Sequence, residues 1–82
     1  MSRRKCLIMA KEALTTGKEL HAVIREVEDM VHKKPEMRLE YFELADSRTL
    51  ASLGHFDRSS SPILCIAGYA GEVRLIDNMF LD

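Results

Sequence analysis

The sequence predicts a single α+β domain in which a two-helix hairpin packs on one face of a small, three-stranded, mainly antiparallel sheet. Three features of the 82 residues predict this fold. Two segments with helical spacing of apolar residues come first, and a glycine at position 17 separates them. Three strand-like segments follow. The turn between the last two strands is so short that these strands must pair antiparallel.

The first predicted helix runs from Arg3 to Thr15. Its apolar residues recur at the three- and four-residue spacing of one helical face. They are Cys6, Leu7, Ala10, Ala13 and Leu14. Gly17 is expected to end the helix, because glycine readily takes the left-handed conformation that closes a helix C-terminus.

The second predicted helix, from Glu19 to Lys33, has the clearest pattern in the chain. One continuous apolar stripe faces inward, and charged residues fill the opposite side. The stripe consists of Leu20, Val23, Ile24, Val27, Met30 and Val31. Pro35 ends the helix, because a proline forces the preceding residue out of helical geometry.

The first predicted strand is Met37 to Ala45, which is rich in strand-forming side chains. A turn follows at Asp46. We expect Asp46 or Ser47 to cap a short helical turn from Thr49 to Leu53. The polar segment from Gly54 to Ser61 is predicted to be a mobile loop.

The second and third predicted strands are Pro62 to Ala70 and Val73 to Leu81. The second strand has apolar residues at consecutive positions from Ile63 to Ala67, which predicts that both of its faces are covered. Two helices can cover only one face of the sheet. We therefore predict that part of the uncovered face, or the sheet edge, docks on something outside this chain.

Composition excludes several classes of protein. The net charge is −1, and 30% of the residues are charged, so the basic excess of a nucleic-acid binder or of a membrane-surface protein is lacking. No apolar run approaches the roughly 20 residues of a membrane span. The basic N-terminus lacks the apolar stretch of a secretory signal. Cys6 and Cys65 are expected to be reduced thiols, and the expected location is cytoplasmic.

The residues alone predict no catalytic, cofactor-binding or metal-binding site. His21 and His32 lie eleven positions apart on one helix, about 16 Å along its axis, too far to share a metal ion. His55 beside Asp57 is interpreted as a solvated loop pair. The serines at positions 59–61 have no general base nearby in sequence and are interpreted as a flexible linker.

Three polar residues interrupt the otherwise apolar third strand: Arg74, Asp77 and Asn78. Polar groups inside a sheet need hydrogen-bond partners when they are buried. We interpret these residues as structural, with Asp77 and Asn78 joining the sheet to a neighbouring turn. A ligand contact is the less favoured alternative.

Two segments carry a resemblance to a known family. Arg38–Leu50 (RLEYFELADSRTL) and Pro62–Asn78 (PILCIAGYAGEVRLIDN) resemble, in the same order, two stretches of the pantothenate synthetases, and RLIDN is the most specific part. The family usually has Ala, then Arg or Trp, then Leu where this chain has Gly68 to Ala70. Cys65 and Ile66 replace the commoner valines. The resemblance covers nearly the whole chain.

The resemblance implies the C-terminal domain of an enzyme that joins pantoate to β-alanine. Members of the family use ATP and Mg²⁺, form a pantoyl-adenylate and serve coenzyme A synthesis. Their catalytic machinery lies mainly in an N-terminal Rossmann-like domain, which is absent from residues 1–82. The C-terminal domain acts as a lid, which would exclude water from the adenylate. The implied partner is the N-terminal catalytic domain, and the 82 residues alone are expected to be inactive.

Two other functions stay open from the sequence. The chain could be a stand-alone small-molecule-binding module with the same fold, or a protein-interaction domain that uses its exposed sheet face. Fold alone does not separate these functions from a lid, because function depends on sites rather than on architecture. A homodimer also stays open, because a bare apolar face can pair with a second copy of itself.

Overall fold

The computed structural model describes residues 3–57 and 61–81. Two helices, α1 and α2, are followed by three strands, β1 to β3. Their bounds are α1 Arg3–Thr15, α2 Leu20–His32, β1 Met37–Asp46, β2 Pro62–Ala70 and β3 Val73–Phe80. The predicted α+β class and the order of these elements are therefore confirmed.

The helix hairpin is closed by the expected glycine. Gly17 has φ +102°, and the backbone N–H groups of Gly17 and Lys18 donate to the carbonyls of Leu14 and Ala13. This pair of hydrogen bonds satisfies carbonyls that the last turn of α1 leaves unpaired. Glu19 then caps α2, because its carboxylate accepts hydrogen bonds from two backbone N–H groups of the first turn.

The sheet has the strand order β1-β2-β3, and both strand pairs are antiparallel. β2 is therefore the central strand, which explains its unbroken apolar run. The register of β1 against β2 shifts between Leu39 and Tyr41, so one residue bulges out of the ladder. Gly68, opposite Leu39, lies at this irregularity.

The core lies between the helices and one face of the sheet. α2 packs on β1, and α1 packs on β2 and β3. The helices contribute their predicted apolar stripes, and the sheet contributes Phe42, Leu44, Leu64 and Ile66. Leu7, Val23, Val27 and Leu64 have no exposed surface. The hydrophobic spacing of both helices therefore predicted the buried faces correctly.

The predicted helical turn from Thr49 to Leu53 is wrong. Asp46 accepts a hydrogen bond from the backbone N–H of Arg48, and Leu50, with φ +63°, reverses the chain. The chain then runs back beside β1, where Ser52 forms a bridge with Ala45. The side chain of Asp46 thus stabilises a tight turn instead of starting a helix.

The loop that begins at Gly54 was predicted to be polar and mobile, but one of its side chains packs on the core. Phe56 is half-buried against the core, so this end of the loop is held in place. The backbone N–H of Ser47 donates to the carbonyl of Ser61, which joins the two ends of the connection. The predicted linker serines at positions 59 and 60 lie outside the described residues.

Two capping carboxylates give the fold a predicted dependence on pH. The backbone N–H of Arg48 is the main cause of the lowered pKa of Asp46, whose ordinary value is 3.8. For Glu19, desolvation raises the pKa, but hydrogen bonds from the backbone N–H groups of His21 and Ala22 outweigh it and lower the pKa below 4.5. Both carboxylates are therefore easier to ionise in the folded chain than in the unfolded chain.

A carboxylate whose pKa is lower in the folded chain stabilises the fold at every pH above its pKa in the unfolded chain. This stabilisation is lost as the pH falls through the pKa of the folded chain. We expect the free energy of unfolding to decrease as the pH falls from about 5 to about 3. The decrease should be smaller in the double variant Glu19→Ala, Asp46→Ala. Urea unfolding at several pH values measures both, and an equal decrease in the two proteins would contradict the prediction.

Candidate docking face

The sheet face opposite the helices is formed by four cross-strand rows of side chains. We call it the bare face. Its rows follow from the strand registers and are Ala45–Ile63–Phe80, Glu43–Cys65–Asn78, Tyr41–Ala67–Ile76 and Arg38–Tyr69–Arg74. Both helices pack on the other side of the sheet, so the exposed residues of these rows are available to a partner.

The apolar area of the bare face lies mainly on β3. Ile76 and Phe80 are each 53% exposed, whereas Ile63 and Ala67 of the central strand are buried. Cys65 is half-buried. The run of apolar residues in β2 is thus largely sealed by its neighbours in the chain, and it gives little support to docking. The two exposed side chains of β3 support it instead.

Sequence reasoning missed the exposure of Ile76 and Phe80. Both were assigned to an apolar strand, but the residue pattern of this edge strand does not show which of its two faces packs on the helices. Alternate positions of β3 are half-buried from Leu75 to Met79, and this period of two is the signal that separates the faces. Ile76 and Phe80 stand on the exposed half of that alternation.

One end of the bare face is charged. Arg74 donates two hydrogen bonds to the carboxylate of Glu40, at 2.8 Å and 3.4 Å. This contact raises the pKa of Arg74, so its guanidinium stays charged. The guanidinium of Arg38 lies 4.6 Å from the ring centre of Tyr69, a cation–π distance. A partner of this face would therefore meet an apolar part and a charged part side by side.

Asp77 has a structural contact, but not the predicted one. Its carboxylate binds the guanidinium of Arg4 at 3.0 Å and accepts a hydrogen bond from the backbone N–H of Asn78. Asp77 therefore joins β3 to α1 rather than to a turn. Both partners of the ion pair are partly exposed, which makes its contribution to stability small, about 0–1 kcal/mol.

Residues 3–57 and 61–81 contain no group of three or more His, Cys, Asp or Glu side chains that could hold a metal ion. His21 instead lies 3.3 Å from the carboxylate of Glu19 through its Nδ1 atom. In the same described ranges, no helix is long and apolar enough to cross a membrane.

The two cysteines are not joined in a disulfide bond. Cys6 lies on the buried side of α1, in the core, whereas Cys65 belongs to the bare face. Burial raises the pKa of both thiols, and the carboxylate of Glu43 adds to the effect at Cys65. Both thiols are therefore held in the neutral form, which is the less reactive one.

Comparison with known proteins gives the family. The sequence model described as Pantoate-beta-alanine ligase matches residues 2–80. The chain belongs to this family. A pantothenate synthetase of Bacteroides fragilis is 43% identical over 53 residues, which cover 65% of this chain and 19% of the relative. A bifunctional pantoate ligase/cytidylate kinase of Thermosynechococcus vestitus is 38% identical over 60 residues, covering 73% of this chain and 11% of the relative.

The fold of this pantoate-beta-alanine ligase family member also matches a solved structure. The crystal structure of pantothenate synthetase from Thermus thermophilus superposes with a TM-score of 0.79 at 26% identity. The match covers 94% of this chain but only 27% of the solved chain. The 82 residues thus span about a fifth to a quarter of the length of the synthetases that they match.

Proposed function

We propose that this chain is the C-terminal lid domain of a pantothenate synthetase, the ligase that joins pantoate to β-alanine through a pantoyl-adenylate in the cytoplasm. In this proposal an N-terminal catalytic domain holds ATP and performs the chemistry. The 82 residues have no ligase activity alone. Their role is to close over the adenylate and exclude water from it.

The observation that carries the proposal is the disparity in coverage. Almost all of this chain superposes on the Thermus thermophilus synthetase, yet most of that enzyme has no counterpart here. A unit with its own core that corresponds to a minor part of an enzyme is typical of a domain that acts together with the remainder.

The bare face supplies the surface that a lid needs. Inter-domain surfaces that open and close are small and more polar than permanent interfaces. The bare face has this mixed character, because the exposed Ile76 and Phe80 lie on the same sheet surface as the Arg74–Glu40 ion pair. We infer that this surface faces the catalytic domain when the lid is closed.

The described residues do not fit a magnesium site of their own, since none of their carboxylates form a cluster of three. The carboxylates of Glu40 and Asp77 are already paired with arginines. We therefore assign no step that involves the metal to this chain. Its proposed contribution is positioning and exclusion of solvent.

AMP release from ATP, pantoate and β-alanine tests the proposal. The chain is assayed alone, and then with a Bacteroides fragilis synthetase from which the matching segment has been removed. We expect no release by the chain alone and stimulation of the truncated synthetase in trans. Release by the chain alone would show that it carries the ligase chemistry itself and would contradict the lid role. No stimulation at any concentration would also contradict that role and would favour a stand-alone binding module.

The bare face makes a further prediction for the same assay. Ile76→Glu places a charge at the centre of the proposed contact, and we expect the concentration for half-maximal stimulation to rise about tenfold. Ile8→Glu is the matched control, because Ile8 is 45% exposed on α1, away from the bare face. Equal effects of the two variants would show that this face does not meet the catalytic domain.

A further inference from the structure

A recess opens on the opposite side of the sheet from the bare face. It lies where the start of α1, the end of α2 and the start of β1 meet above β2 and β3. Its walls are almost entirely apolar and are formed mainly by Cys6, Val31, Leu39, Ile66 and Leu75. The recess is distinct from the surface to which we assign the lid contact, and its chemistry does not depend on the lid role.

The size of the recess suits a short aliphatic group. Its cavity volume is ≈ 20 Å³. One buried water needs about 10–15 Å³ by the same measure, so the enclosed part admits about one or two heavy atoms, the end of a short alkyl chain. The walls offer such a group apolar contacts, and the neutral thiol of Cys6 adds no charge to them. A larger or strongly polar group would not be accommodated in this part.

The mouth of the recess is basic. Arg3 and Lys34 line it, and none of the described lining residues is acidic. Arg38 also lines the recess, but its guanidinium lies on the ring of Tyr69, on the bare face, and is not counted among the cations of the recess. Arg3 and Lys34 form no ion pair with any residue in 3–57 or 61–81. Two cationic residues therefore line the recess without an acidic partner among the described residues.

Arg3 carries a second indication. Its Nε atom is shielded from solvent and has no hydrogen-bond partner among the described residues. A buried donor without a partner is uncommon and is costly in free energy, more so for a charged group. An anion at the mouth of the recess would accept this hydrogen bond and relieve the cost.

We propose that this recess binds a small organic anion, with a carboxylate or phosphate head held by Arg3 and Lys34 and a short aliphatic tail placed among Val31, Ile66 and Leu75. The apolar walls account for the tail, and the basic mouth accounts for the head. Inorganic phosphate has no tail to contact the apolar walls, and a neutral molecule of the same shape has no charge to pair with the basic mouth.

The test is a titration of the ¹⁵N-labelled 82-residue chain, followed by the chemical shifts of its amides. Butanoate and propyl phosphate are the probes, and butanamide and inorganic phosphate are the matched comparisons. We expect saturable shifts for at least one probe, with a dissociation constant on the order of 1–10 mM. The shifts should centre on Val31, Leu39 and Gly68. Butanamide and inorganic phosphate should bind at least about fivefold more weakly.

Two variants separate the proposed site from general attraction of anions. Lys34→Met should weaken binding of the better probe about fivefold, whereas Lys33→Met, an exposed neighbour outside the recess, should leave it unchanged. Overlay of the spectra without ligand shows whether each variant keeps the fold. Equal weakening by both variants, shifts spread over the surface, or butanamide binding as well as butanoate would overturn the proposal.

Discussion

Replacing Leu64 by alanine is expected to remove a large part of the protein's free energy of unfolding. Leu64 has no exposed surface and stands in the central strand, where it belongs to the core shared with both helices. Truncating such a leucine costs about 3–5 kcal/mol, because the lost burial and the cavity add together. A chain of this length has a total stability of about 4–12 kcal/mol.

Urea unfolding followed by circular dichroism measures the loss. The matched control is Leu50→Ala, because Leu50 is 73% exposed and its removal leaves no cavity. We expect the control to change the free energy of unfolding by about 0.5 kcal/mol or less. If both variants lost the same amount, Leu64 would not be at the centre of a packed core, and the assignment of the core would be wrong.

The sequence predicted the parts of the fold in which one local rule decides the structure. The apolar stripe of α2 has a single buried face, and the structure buries it. Gly17 has the conformation that a helix C-terminus favours. The short connection between β2 and β3 allows only antiparallel pairing, which is observed. In each case the deciding residues are close together in the chain, so tertiary contacts did not have to be known.

The parts that the sequence did not predict depend on contacts between distant segments. The segment after Asp46 was expected to be helical, but pairing of Ser52 with the end of β1 competes with a helix. The recess is not visible in the sequence either, because Arg3, Lys34 and Gly68 are brought together only by the fold. The exposure of Ile76 likewise depends on which side of the sheet the helices occupy.

Gly68, at the bulge of the sheet, has no room for a side chain. A Cβ atom built on Gly68 lies 2.8 Å from the carbonyl oxygen of Arg38 and 3.6 Å from the Cα atom of Leu39. The first distance is far below a normal contact, and the atom that would have to move belongs to the backbone. We expect Gly68→Ala to lower the free energy of unfolding by about 1–3 kcal/mol, the usual cost of overpacking.

Gly54→Ala is the control, because a Cβ atom at Gly54 meets nothing within 4 Å. Its effect should stay within about 0.5 kcal/mol. Gly68 pairs with Leu39 beside the register shift between Leu39 and Tyr41, and a glycine within a strand is typical of a bulge or of a close approach by another backbone. Wild-type stability of Gly68→Ala would instead mean that β1 shifts to admit the methyl group. The amide shifts of Leu39 and Tyr41 would then report that movement directly.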